Sequence, residues 1–213
     1  MYEFKLFDFY VYNKYIKGDP DRDNNVFTIQ MFGLNELGET ASITVNNFKP
    51  FLYILVDDHW EHSDMLEFIE NIIIILGEKY ENSIIKKNCK LENKHKLYGF
   101  DNKRKYPFVY IEVINTTVLN KIKNIYYEQC GARDRKLKKK GFEFNKTNTQ
   151  LYEMQVPPLL RFFHIHEISP SGWISVNPNE KEKSGRKRTV CKYEYNVSVD
   201  KVTPLPEKET RVP

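Results

Sequence analysis

Two histidines, His164 and His166, stand two residues apart and are of a type that binds metal. On a strand both would face one side, as a ligand pair must. No acidic or cysteine partner stands at matching spacing, and "RFFH" reads as a helix end, so cap or surface positions are the plainer expectation and no metal is assigned to this chain. His59 and His62 fall where another helix would begin, again as solvent residues. Cys89, Cys130 and Cys191 are odd in number, far apart and without a Cys-x-x-Cys pair. That predicts free thiols in a reducing compartment.

The denser chemistry is cationic. Arg133, Arg135, Lys136, Lys138, Lys139 and Lys140 crowd one short stretch. Such a run either contacts the phosphates of a nucleic acid or forms a solvated loop. Arg186, Lys187 and Arg188 make a second, shorter candidate on what reads as a hairpin tip. Tyr10, Tyr12, Tyr98 and Tyr110 are the aromatics placed to stack on bases, although most of the 14 tyrosines must serve cores and sheet faces. "YPFVYIEV" lacks the Lys/Arg-Gly-Phe pattern of a true RNA-recognition motif. The net charge of +4 and pI of about 8.7 suit a polyanion partner and simple solubility alike. The longest aliphatic run, Ile72 to Leu76, falls far short of the ~20 apolar residues that span a bilayer, so no membrane partner is expected.

These side chains must be held by strands first and helices second. Residues 2 to 12 alternate as a strand, "VFTIQMFG" and "ASITVNNF" follow as two more, and "NELGET" joins them as a hairpin. "FKPFLYILV" is nearly continuous in apolar residues, as in a strand buried on both faces. Met65, Phe68, Ile69, Ile72, Ile73 and Leu76 then recur at helical spacing, with Asp58 and Glu61 as a capping box and Gly77 as the stop. "SIIKKNCKL" and "YPFVYIEVIN" read as strands. A second helix is predicted from an Asn115 or Thr116 cap to Gly131, with Val118, Ile122, Ile125 and Tyr126 inward. Pro157 and Pro158 can only begin a helix, and Leu159, Leu160, Phe162 and Phe163 predict that it is nearly engulfed. "WISV" and "TVCKYEYNVSV" are late strands, and "TPLPEKETRVP" reads as a linker or a strand-edge passage.

The segment "YEMQVPPLLRFFHIHEISPSGWISV" resembles the family B DNA polymerases just before their exonuclease active site. Tyr152, Glu153, Val156, Pro157, Leu160, Arg161, Phe162, Trp173 and Ile174 carry the likeness. Phe48, Pro50, Phe51 and Tyr53 match the family's Phe-x-Pro-Tyr/Phe-Phe-Tyr strand. "KLYGFDNKRKYPFVYIEVINTTVLNKIKN" is similar to members from large DNA viruses and of the eukaryotic delta type. The resemblance implies an α+β fold: an OB-like β-structure with an inserted ferredoxin-like (RNA-recognition-like) βαββαβ module. It implies an OB-like region over 1–47 and 142–203, the insert over 48–141, and a linker toward further domains over 204–213. Pro50, Phe51, Tyr152, Pro157, Arg161 and Trp173 are expected to be structural. Archaeal members read uracil with the places held here by Pro50, Phe51, Pro157 and Pro158, but Pro158 replaces an aromatic, and packing is the implied role.

The family's exonuclease opens on an Asp-x-Glu strand that holds two metal ions, and its polymerase site carries Tyr-Gly-Asp-Thr-Asp. Neither motif occurs in these 213 residues. The expectation is a non-catalytic N-terminal region of a DNA-directed DNA polymerase, serving replication through template binding and domain packing. Its partners would be template DNA and catalytic domains in cis or in trans, in the nucleus or at a viral replication site. The chain needs no cofactor, while Mg belongs to the full polymerase. A stand-alone single-stranded nucleic-acid-binding protein, or the non-catalytic half of a split polymerase, is the alternative.

Overall fold

The computed structural model describes residues 1–15, 25–96, 101–131, 134–179 and 187–206. The architecture is mixed α+β and rich in sheet, in two compact units. The first unit comprises Met1–Lys14, Val26–Phe48 and Pro157–Pro213, the second Tyr15–Asn25 and Lys49–Val156.

In the first unit, strands β1 (Tyr2–Lys14), β2 (Val26–Leu34) and β3 (Thr40–Asn46) form an antiparallel meander. Helix α3 (Pro158–Ile165) leads to β11 (Trp173–Val176), β12 (Tyr193–Ser198) and β13 (Val202–Leu205). The sheet order is β12-β3-β2-β1-β11-β13, and only the β12–β3 pair is parallel. Period-two alternation sends Phe4, Leu6, Ile29, Met31, Ile43, Val45, Ile174, Val176 and Val197 into the core. Strands β1 and β12 are not neighbours, yet the Tyr2 and Tyr195 rings lie 5.3 Å apart and the Phe4 and Tyr195 rings 6.0 Å apart. The sheet therefore curls strongly, as twist accumulated over several strands allows.

Helix α3 starts as expected, with Pro157 as its cap and Pro158 inside the first turn. It is only half engulfed. Phe162 and Phe163 are buried, against Phe48 and Phe9 respectively, while Leu160 and Ile165 are about half exposed. The tail also differs from a pure linker: Val202–Leu205 pairs antiparallel with β11, Pro204 facing Ile174. Pro can occupy this position because β13 is an edge strand.

The β2–β3 turn is tied to the start of β12 by Glu39. Its carboxylate accepts from Asn35 Nδ2 at 2.8 Å and Tyr193 Oη at 2.9 Å, and pairs with Lys192. The Lys192 bond above all, then Asn35 and Tyr193, holds the Glu39 pKa down to about 2. A carboxyl lowered on folding stabilises fully above its ordinary value near 4.5, and that contribution is lost as pH falls toward 2. Glu39→Gln is therefore expected to flatten the acid limb of stability against pH between those values. An acid limb identical to that of the parent chain would show that the network is not formed.

In the second unit, β4 (Phe51–Leu55) is followed by α1 (His62–Leu76), β5 (Lys90–His95), β6 (Lys105–Glu112) and α2 (Thr116–Ile125). A short ribbon, β7 (Tyr127–Gln129) with β8 (Arg135–Leu137), precedes β9 (Phe142–Phe144) and β10 (Thr147–Tyr152). The five-stranded sheet has the order β5-β6-β4-β10-β9, antiparallel throughout. One face, with Leu52, Ile54, Val109 and Ile111, packs on Phe68, Ile69 and Ile72 of α1 and Val118 and Ile122 of α2. Residues 142–156 thus fall in the second unit, where the sequence had placed 142 onward with the flanking β-region. The reason is pairing: β10 joins β4, and β9 joins β10.

Four local expectations are corrected. The α1 cap is Glu61, whose backbone N–H donates to Asp64 at 2.7 Å, not the Asp58–Glu61 pair. Residues 78–83 and 86–88 form 3₁₀ turns, and the strand expected over 83–91 begins only at Lys90. Helix α2 stops at Ile125, well before Gly131, because Tyr127 onward is drawn into the ribbon. Strand β4 is also less buried than its apolar run implied, with Tyr53 and Leu55 half-buried.

The Asn115 cap holds as read. Its Oδ1 accepts from Val118 N at 3.0 Å, and its Nδ2 donates to the Asn25 carbonyl at 2.6 Å. Asn115→Ala is expected to cost about 1–2 kcal/mol, measured by urea unfolding. A loss below ~0.3 kcal/mol would mean that the cap is not formed.

Candidate nucleic-acid interface

The predicted basic run becomes the β7–β8 ribbon and the turn after it. Arg135, Lys136, Lys139 and Lys140 are exposed there. Arg133 lies outside the described residues. Strand pairing sets Lys136 opposite Glu128 and Arg135 opposite Gln129, so the ribbon is not uniformly cationic. Lys138 has another task. Its Nζ donates to the Ile125 carbonyl at 2.8 Å, closing the end of α2, where a cation also suits the helix dipole. Arg135, Lys136, Lys139 and Lys140 are thus the exposed cations of the predicted run.

The second predicted cluster lies in the first unit. Arg186 is outside the described residues, and Lys187 and Arg188 are exposed. The Arg188 backbone N–H donates to Glu194 at 2.9 Å, and the Thr189 hydroxyl adds a bond at 2.6 Å. Burial alone would raise the Glu194 carboxyl, but these bonds hold it below its ordinary range. Tyr10 and Tyr12 stack with centroids 5.5 Å apart. Tyr10 is exposed, while burial pushes the Tyr12 phenol up against a smaller lowering by the Arg188 charge. Tyr98 lies outside the described residues.

A richer surface, of which the sequence reading had singled out only Tyr110, lies on the second unit. Between residues 86 and 105 stand eight lysines and arginines against Glu92 and Asp101. The β5 and β6 alternation puts Lys90, Glu92 and Lys94 opposite Tyr110, Phe108 and Tyr106, on the sheet face away from α1 and α2. Tyr53 of β4 pairs with Tyr110, their rings 5.5 Å apart. The lysines cover the rings. Lys94 Nζ lies 4.5 Å from the Tyr53 centroid and donates to its hydroxyl at 2.6 Å. Lys90 sits 5.3 Å over Tyr110, and Lys96 sits 3.8 Å over Tyr106, which Arg104 also approaches at 4.9 Å. Each such contact at an exposed site contributes only about 0.5–1 kcal/mol, so the lysines are easily displaced. Burial, then the Glu112 carboxylate that accepts from Tyr110 Oη at 2.9 Å, drives the Tyr110 phenol far up, so it stays a neutral donor. The sequence signal was alternation, charged residues (Lys90, Glu92, Lys94) at every second place of one strand and aromatics (Tyr106, Phe108, Tyr110) at every second place of the next.

The residues expected to be structural differ in burial, and Pro157 is exposed at the start of α3. Pro50 is buried and its carbonyl accepts from Val113 N at 2.9 Å. Phe51 is buried and Tyr152, half-buried, packs on Phe108 at 5.0 Å. Trp173 is buried between its partners Lys5 and Leu205, and Arg161 is 7% exposed. His164 is exposed in the last turn of α3, and His166, past its end, lies against Phe162 and Phe48, where burial lowers its pKa. Among the described residues no three His, Cys, Asp or Glu side chains come together as a metal site, so the side chains present do not fit the family's metal pair. No described helix is long and apolar enough to cross a membrane. The three cysteines are free, with Cys130 exposed.

Residues 149–213 match the family model for the family B DNA polymerase exonuclease domain. The chain is 43% identical to the DNA polymerase of Phaeocystis pouchetii virus over 206 residues, covering 92% of this chain and 20% of that protein. It is 26% identical to the DNA polymerase of Acanthamoeba polyphaga mimivirus, over 100% of this chain and 12% of that one. The DNA polymerase delta catalytic subunit of Schizosaccharomyces pombe is 21% identical over 78% of this chain and 14% of its own. Among solved structures, the family B DNA polymerase of the archaeon Pyrobaculum calidifontis superposes with a TM-score of 0.55 at 14% identity, over 96% of this chain and 21% of that one. That likeness speaks for the fold. The chain spans a fifth or less of each of these curated relatives. The resemblance carried by Tyr152 to Ile174 thus holds across the comparisons: the chain is similar to the family B DNA polymerases of large DNA viruses and of the delta type.

Proposed function

We propose that this chain is the N-terminal, exonuclease-associated region of a DNA-directed DNA polymerase, which guides template DNA and packs on the catalytic domains without supplying a catalytic residue. The observation that carries this reading is a match to the exonuclease-domain model over residues 149–213, which supply the end of the second unit and the last part of the first. The first unit, with its curled sheet, is read as OB-like. The second is read as ferredoxin-like, supported by the order β10-β4-β6-β5 with a helix after β4 and after β6. Mg chemistry, on this reading, belongs to carboxylates outside these residues. The site of action is a reducing compartment, the nucleus or a viral replication site.

Phosphate contacts act on affinity rather than on chemistry. In a polymerase that includes this region, Lys136→Gln with Lys139→Gln and Lys140→Gln is expected to raise the KM for primer–template several-fold and leave kcat unchanged. An unchanged KM would sink the reading, and so would a loss confined to kcat.

A further inference from the structure

We propose that the sheet face formed by β4, β6 and β5, opposite α1 and α2, is a stacking platform for single-stranded nucleic acid. Tyr53, Tyr106 and Tyr110 take bases, and Lys90, Lys94 and Lys96 take phosphates. The inference rests on the reading of the chain as a template-contacting region, and it names a surface and a strand state that the basic ribbon does not.

Three observations converge on this one face. The rings are half-buried, so they are held by the sheet and still present surface. Each ring carries a cation at 3.8 to 5.3 Å that no hydrophobic packing requires. The flanking segment is strongly cationic, so the occupant is an anion with flat apolar groups. A single strand fits that description, because its unpaired bases offer π-faces beside every phosphate. A duplex hides those faces, and an acidic peptide lacks them. Tyr106 and Tyr110 are four residues apart, about 13 Å along the strand, which leaves two separate base-sized places.

The lysines also suggest how the surface works. In the free chain the Lys94 ammonium lies against Tyr53 and bonds Glu92 at 2.9 Å, while Lys90 bonds the other Glu92 oxygen. A base that stacks on the ring displaces the ammonium, which swings on its flexible stem to the adjacent phosphate. Glu92 holds both lysines in reach until then. Its carboxyl, which burial would raise, is kept low by Lys90 and Lys94, so it stays charged for that task.

The test is fluorescence anisotropy of the 213-residue chain with a labelled oligothymidylate about twelve nucleotides long, within the range of single-strand sites. An abasic strand of equal length and a duplex serve as comparisons. Tyr53→Leu with Tyr106→Leu is expected to weaken thymidylate binding at least about tenfold, with little change on the abasic strand. The melting temperature should stay within a few degrees; if the pair unfolds the unit, Tyr106→Leu alone, at the margin of the face, should still weaken binding. Lys90→Gln with Lys94→Gln is expected to reduce the salt slope by about 1.4. Equal affinity for thymidylate and abasic strands, or a tyrosine variant that folds and binds like the parent, overturns the platform. If Lys136→Gln with Lys139→Gln then weakens binding while the tyrosine variants do not, the platform falls and the template-guiding reading stands. If no strand binds at all, both fall.

Discussion

Phe68→Ala is expected to lower the stability of the second unit by about 3–5 kcal/mol. Phe68 is fully buried on α1, its ring 5.3 Å from both Trp60 and Phe144 and 6.4 Å from Phe142. These partners come from a loop before the helix and from β9, so the ring ties the helix to chain nearly eighty residues on. Truncation leaves a cavity lined by rigid rings that cannot collapse into it. Ile74 on the same helix is 74% exposed, and Ile74→Ala should change stability by no more than ~0.5 kcal/mol. Urea unfolding of the two variants checks the contrast. Similar losses would mean that α1 presents a different face to the sheet.

Gly141→Ala is the second large effect, and it acts through backbone. Gly141 has φ +75° in the turn between β8 and β9, where its N–H donates to the Lys138 carbonyl at 3.0 Å. A Cβ there would lie 1.9 Å from the Thr149 carbonyl oxygen. Thr149 cannot easily give way. It is fully buried, its hydroxyl donates to the Phe142 carbonyl at 2.8 Å, and it lies 2.9 Å from Tyr126 Oη. Left-handed strain of about 1–3 kcal/mol adds to overpacking of about 1–3 kcal/mol, so the expected loss is about 2–6 kcal/mol. Gly38, at φ +72° with nothing within 4 Å of its Cβ position, isolates the strain alone. Gly141→Ala should therefore cost at least ~1 kcal/mol more than Gly38→Ala in thermal unfolding. Equal costs would show that β9 and β10 do not pass so close to this turn.

What the sequence made legible was local. The β1–β3 meander, the amphipathic α1 and the Pro157–Pro158 start of α3 rest on alternation, helical spacing and proline chemistry, and each stands where it was expected. The errors came where a longer-range contact outbid a local signal. Gly131 looked like the stop of α2, yet pairing of Tyr127 with Leu137 ends the helix at Ile125. The tail from Thr203 left a linker and a strand-edge passage open, and only the pairing of Val202–Leu205 with β11 decides for the edge strand. The basic run was visible, but nothing local told Lys138, which closes a helix, from Lys139, which faces solvent. Of the lysine–tyrosine face only Tyr110 was read, for a related reason. Its strand was expected seven residues early, which hid the alternation of Lys90, Glu92 and Lys94, and its tyrosines lie on two other strands.

The most direct test of a template-guiding N-terminal region is the affinity of the chain for single-stranded DNA as salt is raised. The predicted result is saturable binding at low salt whose logarithm falls linearly with the logarithm of salt concentration. A slope of about −2 to −3 would correspond to three or four phosphates held by the basic surfaces. Absence of saturable binding at ~50 mM salt, or an affinity that salt does not change, would contradict the account.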